Sequence, residues 1–167
     1  VDGVQGAAWP LIRTDVGLDY AQVGLLLTIP MLVGNLVETI LGIAGDVGNR
    51  RVLVRAGGVG FGCAAVLLAT SVDFASLLLA LVVFNPSSGA FLSLSQATLI
   101  DVDPQREERS MARWVVAGSL GQVVGAALLG VVAATWVGWR GAYVLIAIGT
   151  VVVLVAACAL TRSCRSA

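Results

Sequence analysis

Apolar residues run along this chain in long, nearly uncharged blocks, and these blocks set its architecture. Residues 3–12 carry no charge, 21–45 are interrupted only by Glu38, and 52–72 carry only Arg55 near their start. Residues 74–100, 114–139 and 141–161 follow with no formal charge at all. A helix needs about 20 apolar residues to cross hydrocarbon, so five spans are predicted, at 21–45, 52–72, 74–100, 114–139 and 141–161. The first block would make only about 15 Å of helix at 1.5 Å per residue. It predicts a truncated first helix over 1–12, on a fragment that begins in mid-membrane with Val1 rather than Met. A signal peptide would place a basic segment ahead of its apolar core, whereas Asp2 comes first here. Residues 162–167 are expected to start a cytoplasmic linker.

Composition agrees with an all-α membrane protein. The 167 residues are 58% hydrophobic and 12% charged, with mean hydropathy +0.96, against roughly 45–50% and about 25% in soluble domains. Ten Arg balance ten acidic residues, so net charge gives no reason to expect a nucleic-acid partner. Lys and His are absent, which removes a His base or metal ligand, a Schiff-base lysine and a P-loop lysine. No cofactor is expected. Cys63, Cys158 and Cys164 lack the paired spacing of a zinc or redox site.

The arginines orient the chain. Arg50, Arg51, Arg55, Arg106, Arg109, Arg113, Arg162 and Arg165 fall at alternate breaks, and only Arg13 and Arg140 at the opposite set. Basic loops stay inside, so both ends are expected to be cytoplasmic in an inner or plasma membrane. Trp9, Tyr20, Trp136, Trp139 and Tyr143 then fall at outer ends, as an aromatic girdle.

The break between spans two and three, "LGIAGDVGNRRVLVRAGG", holds five glycines, three arginines and Asp46. A carboxylate at a helix C-terminus faces the negative end of the dipole and needs a positive partner, which Arg50 or Arg51 could supply. Gly42, Asp46, Arg50 and Arg51 resemble the signature loop between helices two and three of the major facilitator superfamily. Val47 stands where that family has Arg or Lys, and Gly48 comes one place early. "GLDYAQVGLL", "DPQREERSMARW" and "GWRGAYVLIAIG" resemble three further loops of the same N-terminal half. "VDG" with "GLDYAQVGLL" is also similar to the fosmidomycin-resistance type of drug exporter.

The resemblance implies twelve helices in two six-helix halves, each an inverted 3+3 repeat, with the C-terminal half missing here. It implies that helices one, two, four and five face a translocation cavity, that three and six are peripheral, and that Asp46, Arg50 and Arg51 form a gating cluster with Asp101 or Asp103. The polar residues follow that division: Gln5, then Asn35 and Glu38, then Asn85, Ser87, Ser88, Ser93, Ser95 and Gln96, then Ser119 and Gln122. At about 100° per residue, Asn85, Ser88, Ser95 and Gln96 share one stripe, and Asn35, Glu38, Thr39, Gly42 and Asp46 another. Such stripes either line a cavity or hydrogen-bond between helices, at about 0.6 kcal/mol per contact. Gly118, Gly121 and Gly125 read as small-residue packing.

Two carboxylates are expected inside the membrane, Asp2 and Glu38, where an acidic group costs about 2.5–3.5 kcal/mol and is a functional candidate by default. Glu38 is either a proton-coupling group or the partner of Arg51 or Arg55. The expected function is secondary transport of a small organic solute, proton-coupled and of the drug-efflux kind, with Gln5, Asn35, Asn85, Ser88, Ser95, Gln96 and Gln122 lining the path. The alternatives are a six-helix scaffold or channel-like subunit acting as a homodimer, and a membrane-embedded enzyme.

Overall fold

The computed structural model describes residues 2–47, 50–102, 107–133 and 138–163. They form six helices: α1 (Asp2–Val16), α2 (Tyr20–Val47), α3 (Arg50–Thr70), α4 (Phe74–Val102), α5 (Glu107–Ala133) and α6 (Gly138–Ser163). No strand occurs among the described residues. Stretches long and apolar enough to cross a bilayer occur in α2 to α6: Tyr20–Gly45, Val52–Thr70, Phe74–Ile100, Glu107–Val132 and Gly138–Ala156. α5 starts ahead of its charge-free block, with Glu107 and Glu108 in its first turn, where carboxylates favour the positive end of the helix dipole. Charge marks where hydrocarbon begins, not where a helix must.

Local chemistry sets the turns. Gly17, at φ 69°, ends α1, and the Leu18 N–H reaches back to the Arg13 carbonyl at 3.0 Å. This is the six-to-one bond of a Schellman cap, whose left-handed position favours glycine. α2 opens with Asp19, whose N–H donates to Gln22 Oε1 at 3.0 Å. Before α4, the Ser76 N–H donates to Asp73 Oδ1 at 2.8 Å while the Asp73 N–H donates to Ser76 Oγ at 3.2 Å. That reciprocal pair satisfies two donors a helix start leaves open.

The buried core gathers towards the Arg140 end of the bundle. It draws on Ala8 and Ile12 of α1, Leu18 ahead of α2, Leu26 of α2, residues of α3 between Phe61 and Ala69, residues of α4 between Leu77 and Phe84, Leu129 of α5 and residues of α6 between Trp139 and Ala147. Phe61 meets Phe84 at 4.8 Å between ring centroids, Phe84 meets Tyr143 edge-on at 6.3 Å, and Tyr143 meets Trp139 edge-on at 6.0 Å. Each such pair contributes about 0.5–1.5 kcal/mol beyond its burial. Trp139 and Tyr143 are therefore core residues and not part of a lipid-facing girdle, because the α3–α4–α6 junction takes both rings in.

Helix pairing has an internal symmetry. α2 packs on α4 as α5 packs on α1, α2 touches α3 as α5 touches α6, and α3 packs on α4 as α6 touches α1, with α3 and α6 against each other. Exchanging one with four, two with five and three with six maps these contacts onto one another, as expected of an inverted 3+3 repeat, although α4 also touches α5 without an equally strong α1–α2 contact. Within these six helices, three and six are not the outermost. A third of the best apolar window of α3 is buried, at 33%, against 6% for α5 and 17% for α2. The small residues of α3 admit neighbours closely, and the polar stripe of α2 and the face of α5 are left uncovered.

Candidate functional site

Two groups of polar residues stand out, one at the α2–α4 contact inside the spans and one at the Arg140 end. Near the middle of α2, Glu38 is half-buried and the Ser93 hydroxyl of α4 donates to its Oε1. Its carboxyl lies where Gly89 has no side chain: a Cβ built there would stand 2.7 Å from Oε2. One turn back, the backbone at Gly34 comes within 3.2 Å, measured from its absent Cβ, of the Asn85 Cβ. Residues 34 and 38 of α2 thus face 85, 89 and 93 of α4. The geometry supplies Glu38 with a neutral partner.

The remaining cavity candidates are placed one by one. Asn85 is half-buried and its amide donates to the Leu81 carbonyl at 3.2 Å. Ser88 and Ser95 are half-buried, and Gln96 Nε2 lies 3.5 Å from Met111 Sδ of α5. Asn35 and Gln122 are exposed and Gln5 is half-buried. Gly42 is exposed with nothing within 4 Å of its absent Cβ. The side chains of Asp2, Asp46, Arg50, Arg51 and Asp101 lie outside the described ones, as does all of Asp103. In α5, nothing lies within 4 Å of an added Cβ at Gly118 or Gly121, whereas Gly125, the third of the expected packing glycines, is half-buried.

A cleft of about 380 Å³ lies between α2, α3 and α4, lined by Val33, Val37, Leu41, Leu53, Ala56, Gly57, Val82, Val83, Pro86, Ser87 and Ala90. Of the polar residues expected inside the spans it holds only Ser87 among the described ones. At about 100° per residue, Val33, Val37 and Leu41 lie on the opposite side of α2 from Asn35 and Thr39. The cleft is thus a lateral, apolar feature separate from the polar stripes.

The second group joins three helices and was not visible in the sequence as a site. Arg140 of α6 pairs with Asp15 of α1, donates to the Ser71 carbonyl just beyond α3 at 3.0 Å, and lies 4.6 Å from the ring centroid of Trp139. The Trp139 indole N–H donates to Asp15 Oδ2 at 3.2 Å. The hydrogen bond from Arg140 is the main cause holding the Asp15 carboxyl below its ordinary range, against a smaller opposing effect of burial. Arg13 stacks on Tyr20 at 3.7 Å and donates to the Leu18 carbonyl at 3.3 Å. The available signal was the isolation of these charges: Arg13 and Arg140 are the two arginines set apart from the basic breaks.

No group of three or more His, Cys, Asp or Glu side chains that could hold a metal ion occurs among the described residues. A family model described as Major Facilitator Superfamily matches residues 1–164. Neither the curated proteins nor the solved structures give a match.

Proposed function

The chain belongs to the major facilitator superfamily and is a membrane transporter of that kind; from this premise we propose that it supplies the N-terminal half of a proton-coupled secondary transporter. The cargo is a small organic solute, moved outward as in drug efflux, across an inner or plasma membrane with both ends of this half on the cytoplasmic side. In this fold the solute site lies near the midplane, at the interface of two repeats or bundles. One half therefore contributes a face rather than a closed pocket. Asn35, Asn85, Ser88, Ser95, Gln96 and Gln122, with Gln5 of α1, are assigned to that face. Asp46, Arg50, Arg51, Asp101 and Gly42 are assigned to the gate between conformations.

The observation that carries the coupling role is the setting of Glu38. It is a carboxylate inside an apolar span that accepts a hydrogen bond from the neutral Ser93 hydroxyl. Intramembrane carboxylates facing a bundle interior mark proton relays, and a group alternately wetted and enclosed can take up and release a proton as the helices move. In the intact protein, Glu38→Gln should abolish gradient-driven transport while solute exchange without a gradient survives. Normal pH-dependent transport by that variant would remove Glu38 from the coupling path and leave Asp2 as the acidic candidate.

A further inference from the structure

We propose that Gly89 and Ser93 of α4 form a seat that positions the Glu38 carboxyl at the α2–α4 contact; this deepens the coupling role of Glu38 and rests on it. A Cβ at Gly89 would stand 2.7 Å from Oε2, 3.0 Å from Cδ and 3.5 Å from Oε1 of Glu38. What fills the place of the missing side chain is therefore the carboxyl group itself. A glycine kept only for helix packing would face backbone or an apolar side chain, as Gly57 faces the Phe91 N at 3.1 Å. One turn along α4, the Ser93 hydroxyl donates to Oε1, so the seat has a wall and a single donor four residues apart on one helix face.

Among the described side chains of α2 and α4 the seat is lined by neutral groups: α4 has no charged residue from Phe74 to Ile100, and Asn35 and Thr39 on the helix of Glu38 are neutral. An ionised carboxylate has about four acceptor sites, and one neutral donor leaves it to be completed by water or a proton. Glu38 is half-buried and Ser93 exposed, so the seat opens on the side that these six helices leave uncovered.

The test uses the full-length protein in lipid vesicles and a hydrophobic carbodiimide, which attaches to protonated carboxyls shielded from bulk water. The adduct on the peptide containing position 38 is measured by mass spectrometry across pH, with Glu38→Gln as the blank. Gly89→Ala should displace the carboxyl and cut labelling at least about tenfold, since misplacing a positioned reacting group by about 1 Å can cost on the order of 10²-fold. Glu38→Asp, one methylene shorter, should restore labelling in the Gly89→Ala background. Ser93→Ala should shift the pH profile of labelling, and Ser93→Thr, which keeps the hydroxyl, should not. Wild-type labelling in Gly89→Ala, or no rescue by Glu38→Asp, overturns the seat. Failure of the coupling role shows separately: Glu38→Gln would retain pH-dependent transport while the labelling pattern stood.

Discussion

α3 and α5 each carry four glycines in an apolar span, yet the structure treats them in opposite ways. On α3, an added Cβ at Gly57 would meet the Phe91 N at 3.1 Å, at Gly58 the Leu154 Cδ2 at 2.7 Å, and at Gly60 the Ser87 Oγ at 2.8 Å. On α5, Gly118, Gly121 and Gly130 meet nothing within 4 Å. In hydrocarbon there is no hydrophobic force between helices, so association depends on close packing and hydrogen bonds. A glycine face gains from its smallness only where a second backbone or side chain arrives. α3 has those neighbours in α4 and α6. At Gly118, Gly121 and Gly130, α5 bears the cost of glycine in a helix, about 0.5–1 kcal/mol each relative to alanine, with no such return among the described residues.

The largest effect should follow from filling the α3 face. Gly57→Leu is expected to destabilise the intact protein by about 1–3 kcal/mol or more, the range for overpacking a closed contact. Thermal unfolding of the purified protein and its yield of monodisperse material would show the loss. Alanine ranks the sites. Gly57→Ala presses on the Phe91 N, which cannot turn away, whereas Gly60→Ala meets a Ser87 hydroxyl that can rotate. Equal stability for Gly57→Leu and wild type would break the contrast at its packed side.

On α5 the sign should reverse. Gly121→Ala is expected to raise stability by about 0.5–1 kcal/mol, the helix preference of alanine unopposed by contact. Gly118→Leu and Gly121→Leu then sharpen the comparison in the full-length protein. Retained folding with lost transport means that this face works against something beyond these six helices. Retained folding and transport mean that it faces lipid. Loss of folding would show that α5 is packed after all.

Six helices were legible in the charge-free blocks because hydrocarbon length and helix length are tied by geometry. The start of α5 was not, since Glu107 and Glu108 belong to the helix although not to its apolar block. Periodicity put Glu38, Asn35 and Asp46 on one stripe but could not supply the facing helix, so Gly89 and Ser93 emerged only once α2 and α4 were seen side by side. The α5 glycines are ambiguous for the same reason: a small-residue stripe records that something can approach, without naming it. For Trp139 and Tyr143 the sequence shows their distance from the span ends but not their burial.

The smallest effect concerns the pin at the far end of α3, which α5 lacks among the described residues. Arg140 holds Asp15 and caps the Ser71 carbonyl. The two side chains are 34% and 44% exposed, so the pair is worth only about 0–1 kcal/mol after solvent screening. The folded-state pKa of Asp15 is depressed below its unfolded value of about 3.9. Its contribution is therefore present above about pH 4 and is lost as pH falls through the lower, folded value. Asp73, held down chiefly by its hydrogen bond from the Ser76 side chain, loses its contribution in the same direction. Thermal stability of the wild type should accordingly fall on the acid side. Asp15→Asn and Arg140→Gln should each remove the same part of that fall, while Asp73→Ser, a cap that does not titrate, removes a separate part. If the Asp15→Asn profile kept the full acid slope of the wild type, the pin would not be holding α1 and α3 to α6 in solution. The packed side of the comparison would then rest on the glycines of α3 alone.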